Sequence, residues 1–94
     1  MPEERYAQKN KIGNLTSAFD SVKELTKVNF DNNIIEYVKP DIFPDSLRVI
    51  HLSNNRLSEL THGLIPSSVD SVYLDGNQIR EIPAGILTWR LQLL

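Results

Sequence analysis

Cysteine is absent from this chain. That excludes disulfide staples, thiolate zinc sites and the cysteine-framed caps found on many secreted repeat proteins. Long apolar runs are also missing, and none approaches the roughly 20 residues that a membrane helix requires. Basic residues do not dominate: 10 Lys and Arg stand against 12 Asp and Glu, for a formal charge of -2. The cationic excess that draws a protein to nucleic acid or to an anionic lipid surface is therefore lacking, so neither is expected as a partner. Acidic residues and no apolar run follow Met1-Pro2 at the N-terminus, so no secretory signal is expected there. The Asn14-Leu15-Thr16 triplet has the form of a glycosylation sequon but is read as coincidental without a targeting signal. What remains is the composition of one small folded domain, with 40% hydrophobic and 23% charged residues in 94.

The dominant feature is a repeat. Asn33, Asn55 and Asn77 are spaced 22 residues apart (55−33 and 77−55). Around them lie three equivalent apolar sets: Leu25, Val28, Phe30, Ile35 and Val38; Leu47, Ile50, Leu52, Leu57 and Leu60; Val69, Val72, Leu74, Ile79 and Ile82. Each unit reads L-x-x-L-x-L-x-x-N-x-L-x-x-L without a gap. The second half repeats too, with Ile42-Phe43-Pro44, Leu64-Ile65-Pro66 and Ile86-Leu87-Thr88 in equivalent places. The L-x-L step has period two, so its aliphatic residues share one face of a short strand. One such strand cannot bury its apolar side alone; stacking copies in parallel can.

This pattern resembles the leucine-rich-repeat family over roughly residues 22 to 94. The Gly63-Leu64-Ile65-Pro66-Ser67-Ser68-Val69 stretch is similar to the 22-residue IP/FNIP-type repeats of amoebae and giant viruses. The stretch from Pro44 to Asn55 resembles the short repeats of bacterial effectors. The F-N-Q core of the first type is absent, and the leucine-proline after the asparagine is present only as Ile82-Pro83. The resemblance implies an α/β-type solenoid: a right-handed superhelix with a parallel sheet of 3–4 strands on its concave face. Pro40, Pro44, Pro66 and Pro83 disfavour helices on the return side, since an internal proline costs about 3 kcal/mol. Extended or 3₁₀ convex segments are expected instead. Asn33, Asn55 and Asn77 are expected to form a structural ladder, each amide bonding orphan backbone groups at a bend.

Residues 1–24 read as an N-terminal cap with a degenerate half repeat. Asn10-Lys11-Ile12-Gly13-Asn14-Leu15 matches the second half of a unit one residue out of phase (33−10 is 23), and a short helix over Thr16 to Leu25 competes with the repeat phase. Residues 25–94 hold units starting at 25, 47 and 69, with a partial fourth from 91. Leu91 and Leu94 take its first two apolar positions, and no polar cap follows. That end either docks a partner or a second copy, or is sealed by Trp89.

Outward strand residues form columns: Lys27, Val49 and Ser71; Asn29, His51 and Tyr73; Asp31, Ser53 and Asp75. With Trp89, these are the candidate partner-contacting residues. No catalytic or metal-binding residue and no cofactor is expected. His51 and His62 fall in different parts of the repeat, no serine lies in a nucleophile elbow, and no phosphate-binding glycine motif occurs. The expected function is a non-catalytic module that binds another protein. The alternative is a structural or assembly component, for example a minor virion protein, associating as a homo-oligomer or larger assembly through its C-terminal edge. The expected location is the cytoplasm or the inside of a virus particle.

Overall fold

The computed structural model describes residues 3–15, 24–60, 64–80 and 92–93. These contain seven strands: β1 (Glu3–Tyr6), β2 (Asn14–Leu15), β3 (Leu25–Asn29), β4 (Tyr37–Val38), β5 (Val49–His51), β6 (Ser71–Tyr73) and β7 (Gln92–Leu93). Five form a parallel sheet in the order β1-β3-β5-β6-β7, and β2 and β4 form a second, two-stranded parallel sheet. No helix is present among the described residues. Every neighbour in the large sheet is the next copy of the same unit, so sequence spacing becomes spatial stacking.

The register follows the 22-residue period. Lys27, Val28 and Asn29 pair with Val49, Ile50 and His51, which pair in turn with Ser71, Val72 and Tyr73. The inward residues stack into one core, in which Leu25, Val28, Ile35, Leu47, Ile50, Leu52 and Val72 are fully buried. Each such side chain contributes about 2 kcal/mol through removal from water. Ile42, Phe43 and Leu64 are also buried and close the core from the return side. That side runs through turns, with Leu47 N–H donating to Pro44 O at 3.2 Å and Val69 N–H to Pro66 O at 3.1 Å.

Two departures from the sequence expectation concern the ends of the sheet. It has five strands rather than 3–4, because residues 3–6 supply one. β1 was hidden in the sequence because Arg5 stands where the following units carry the inward aliphatics Val28, Ile50 and Val72. Backbone hydrogen bonds make the pairing: Tyr6 lies opposite Asn29, and Ala7 N–H donates to Asn29 O at 2.7 Å. The register shifts between Glu3 and Glu4, and beyond that shift the offset between first and second units is 23 residues. It is still 23 between Leu15 and Val38 but 22 between Lys27 and Val49, so the extra residue falls between Leu15 and Lys27 in the sequence. At the other end, Leu93 rather than Leu94 pairs with Val72, an offset of 21. Leu25 begins β3 and is not helical. Glu24 lies in a turn, and residues 16–23 of the short helix considered from Thr16, together with His62, Ile82, Pro83, Ile86, Leu87, Trp89, Leu91 and Leu94, lie outside the described residues.

Two side-chain ladders tie the units together. Asn33, Asn55 and Asn77 each donate from Nδ2 to a bend carbonyl of their own unit (Phe30, Leu52 and Leu74) at 2.8, 3.0 and 2.9 Å. Each also donates to the equivalent carbonyl one unit back, that of Ala7, Phe30 or Leu52, at 3.0, 3.0 and 2.8 Å. Their Oδ1 atoms accept from the backbone N–H of Ile12, Ile35 and Leu57. Asn10 begins the series, donating to Ala7 O at 2.9 Å. The second ladder is made of serines: Ser46 Oγ donates to Leu25 O at 2.7 Å and Ser68 Oγ to Leu47 O at 2.6 Å. The residue before each ladder asparagine has positive φ: Lys9 (59°), Asn32 (61°), Asn54 (58°) and Gly76 (76°). Asparagine and glycine are the residues that tolerate this left-handed conformation best.

Candidate functional site

The outer face of the large sheet is set by strand alternation. Where Val28, Ile50 and Val72 point inward, their neighbours point out. The register places Tyr6, Asn29, His51 and Tyr73 in one row across four strands, and Glu4, Lys27, Val49 and Ser71 in the row beside it. Parallel strands lie about 4.8 Å apart, so each row is a line of closely spaced side chains on a hydrogen-bonded floor.

Within the first row, the His51 imidazole and the Tyr73 phenol are stacked, with centroids 4.1 Å apart and planes 4° from parallel. His51 Nδ1 lies 3.5 Å from Asp31 Oδ2, a separation that becomes an ion pair when the ring is protonated. Asp31 is held from the other side, its Oδ1 accepting from Ser53 N–H at 2.7 Å. Asn29 stays local, its Oδ1 accepting from Asp31 N–H at 3.0 Å. Lys27 places its Nζ 5.5 Å from the centre of the Tyr6 ring, within the range of a cation–π contact. The Tyr6 hydroxyl donates to the Glu4 carboxylate. That bond favours the neutral phenol and holds its pKa above the ordinary value of 10.0, with desolvation and the Glu4 charge acting in the same direction.

The third row departs from an open line of contacts. Ser53 is only 7% exposed, and its hydroxyl donates to Asp75 Oδ1 at 2.5 Å. Buried and bonded on both sides, Ser53 supports Asp31 and Asp75 and presents little of itself. Asp75 is exposed and Asp31 half-buried. Val49 and Ser71 are half-buried in the row of Lys27. Trp89 lies outside the described residues.

Tyr6 and Glu4 are additions to the row that sequence reading missed. The signal was available: subtracting the 23-residue offset already evident at Asn10 from Asn29 gives residue 6. Beside the face, Arg48 Nε donates to Asp70 Oδ2 at 2.8 Å across one repeat, and its terminal nitrogen approaches the same oxygen. Both partners are solvated, so this pair adds little stability.

As chemistry, the face offers aromatic surface, one ammonium and carboxylates. The Ser53 hydroxyl is bound to Asp75 and not aligned with His51. Among the described residues no group of three or more His, Cys, Asp or Glu is placed to hold a metal ion, and no helix is long and apolar enough to cross a membrane.

Residues 46–72 match the family model described as Leucine Rich Repeat. The match begins at Ser46 and runs through β5 into β6, spanning one complete 22-residue spacing (68−46) and continuing to Val72. Neither a curated protein nor a solved structure matches the chain.

Proposed function

Because this chain carries leucine-rich repeats, we propose that it is a non-catalytic protein-interaction module, a short solenoid whose concave sheet face is the contact surface. The supporting observation is the stacked His51–Tyr73 pair. It puts an aromatic surface at the centre of a rigid parallel sheet, with Lys27 on one side and Asp31 and Asp75 on the other. Aromatic residues held in place lose little conformational entropy when a partner covers them, which is why they anchor interfaces. Repeat architectures of this kind present such surfaces on one side of the stack.

Size limits the affinity. Five strands about 4.8 Å apart, none longer than five residues, cover only a few hundred Å², against the roughly 800 Å² per partner of a standard interface. The partner is therefore a short segment or a weakly held domain, or its contact extends onto the neighbouring loops.

Site-specific photo-crosslinking in source cells tests this reading. A benzophenone amino acid replacing Val49 or Tyr73 is expected to yield a discrete protein adduct, whereas the same group replacing Ser67 on the return side is not. Adducts confined to the return-side position would overturn it.

A further inference from the structure

The geometry points to a second contact surface, on the flank where each repeat leaves its ladder asparagine. It fits a short acidic amphipathic helix of another protein. An apolar side chain of that helix rests on Ile34, and carboxylates on either side of it meet Lys11 and Arg56. This surface lies outside the concave face and does not depend on that face binding anything.

Lys11, Ile34, Arg56 and Gln78 each follow a ladder asparagine, and all four are exposed. Backbone bonds keep the repeats side by side here: Ile34 N–H donates to Ile12 O at 3.1 Å, Arg56 N–H to Ile35 O at 2.9 Å and Gln78 N–H to Leu57 O at 2.8 Å. The four therefore stand in one row, and the structure describes every position in it. Ile34 is 37% exposed and is held out by its neighbours. Asn33 before it is tied down by its amide bonds, and Ile35 after it is fully buried. An isolated exposed isoleucine is ordinary; this one stands between two cations. Neither Lys11 nor Arg56 has an ion-pair partner among the described residues. The flanking rows add Lys9 and Arg80 against Glu36 alone. Asp31 and Asp75 lie beyond the row of Lys9 and are bonded to Ser53. An anionic partner answers this flank.

Spacing narrows the form of that partner. Hydrogen-bonded repeats advance about 4.8 Å per unit, so Lys11 and Arg56 lie about 10 Å apart with Ile34 midway. An extended segment spaces same-face residues about 6.8 Å apart and matches neither interval. A helix rises about 1.5 Å per residue, which puts positions i, i+3 and i+7 at about 0, 4.5 and 10.5 Å along one face. An acid–apolar–acid pattern at those positions therefore meets Lys11, Ile34 and Arg56 in turn. The asparagine ladder holds the row rigid, so little conformational entropy is lost at the backbone when the helix docks. Both cations are solvated, so their contribution weakens as salt is added.

The test uses the full chain labelled with ¹⁵N, titrated with the helix-forming peptide acetyl-Ala-Ala-Glu-Ala-Ala-Leu-Ala-Gln-Ala-Glu-Ala-Ala-Gln-Ala-Ala-amide. Control peptides carry glutamine for both glutamates, serine for leucine, or the glutamates five apart on different faces. The expected result is saturable shifts at Lys11, Ile34 and Arg56 with the first peptide, and weaker or no shifts with the controls. Arg56→Glu is expected to weaken binding about fivefold, whereas Lys39→Glu, the same change in net charge away from the row, is not. Ile34→Ser is expected to weaken it as well. All three positions are exposed, so an unchanged spectrum elsewhere will show that the fold is kept. Glutamine or five-apart peptides binding as tightly as the first overturn the inference, as does Arg56→Glu behaving like Lys39→Glu. So do shifts of this row by an oligouridine or by phosphatidylserine vesicles when the peptide produces none. Peptide shifts confined to His51 and Tyr73 also overturn it, and they leave the concave contact surface standing.

Discussion

The side-chain amide of Asn55 donates a hydrogen bond at 3.0 Å to the carbonyl of Phe30, one repeat upstream. The same nitrogen serves Leu52 O in its own unit, and the Oδ1 accepts from Ile35 N–H. One buried side chain thus serves backbone groups of two units where the strand turns away.

Asn55→Ala is expected to cost about 3 kcal/mol: Ile35 N–H is left buried without its acceptor, which costs about 1–3 kcal/mol, and Phe30 O and Leu52 O each lose one of two amide donors. For a domain of this size that lowers Tm by more than about 10 °C, measurable by calorimetry. Asn55→Asp keeps the acceptor for Ile35 N–H but turns a carboxylate oxygen on two carbonyls. It is expected to be at least as harmful at neutral pH and to recover partly in acid, when the protonated carboxyl can donate.

Ser46 and Ser68 form the second ladder, each hydroxyl reaching the carbonyl of the strand-opening residue one unit back. Ser68→Ala is expected to cost about 1 kcal/mol, the usual net value of one hydrogen bond. The carbonyl of Leu47 loses a side-chain donor without a cavity of consequence forming. Urea denaturation reads the loss as a lower midpoint at unchanged slope.

The left-handed residue before each ladder asparagine gives a pair of opposite predictions. A Cβ on Gly76 would lie 2.2 Å from Asn54 Oδ1 and 3.2 Å from Asn54 Cα; the amide can rotate away but the backbone cannot. Gly76→Ala is therefore expected to destabilise by about 1–2 kcal/mol, the scale of the left-handed penalty. Lys9 occupies the same conformation at φ 59° without the local bonding that eases asparagine there. Lys9→Asn is expected to stabilise by about 0.5 kcal/mol. Both are read from thermal melts, and a Gly76→Ala protein as stable as the parent would contradict the backbone argument.

Tyr6 holds its proton more tightly than an isolated tyrosine because its hydroxyl donates to Glu4. A pKa raised by folding stabilises the folded state below the unfolded value, and that contribution disappears as pH rises through the folded value. Ultraviolet titration of a Tyr37→Phe, Tyr73→Phe background isolates this phenol. Its transition is expected above that of a model tyrosine, and Glu4→Gln is expected to lower it by removing the carboxylate.

The 22-residue period decided the core and the stacking order, because an L-x-L step has one geometry in which its aliphatic residues can be covered by copies of itself. The amide chemistry of Asn33, Asn55 and Asn77 follows from the same spacing. What the period did not carry was β1, whose pairing with β3 depends on backbone groups and needs no aliphatic pattern at Glu4, Arg5 and Tyr6. Nor did it carry the serine ladder, since a hydroxyl acts only where the fold brings a carbonyl within reach. Tertiary structure alone made His51 stack on Tyr73 and turned Ser53 inward as a support for Asp31 and Asp75. Each of these depends on side-chain direction and separation between units, quantities that residue order leaves open until the strands lie side by side.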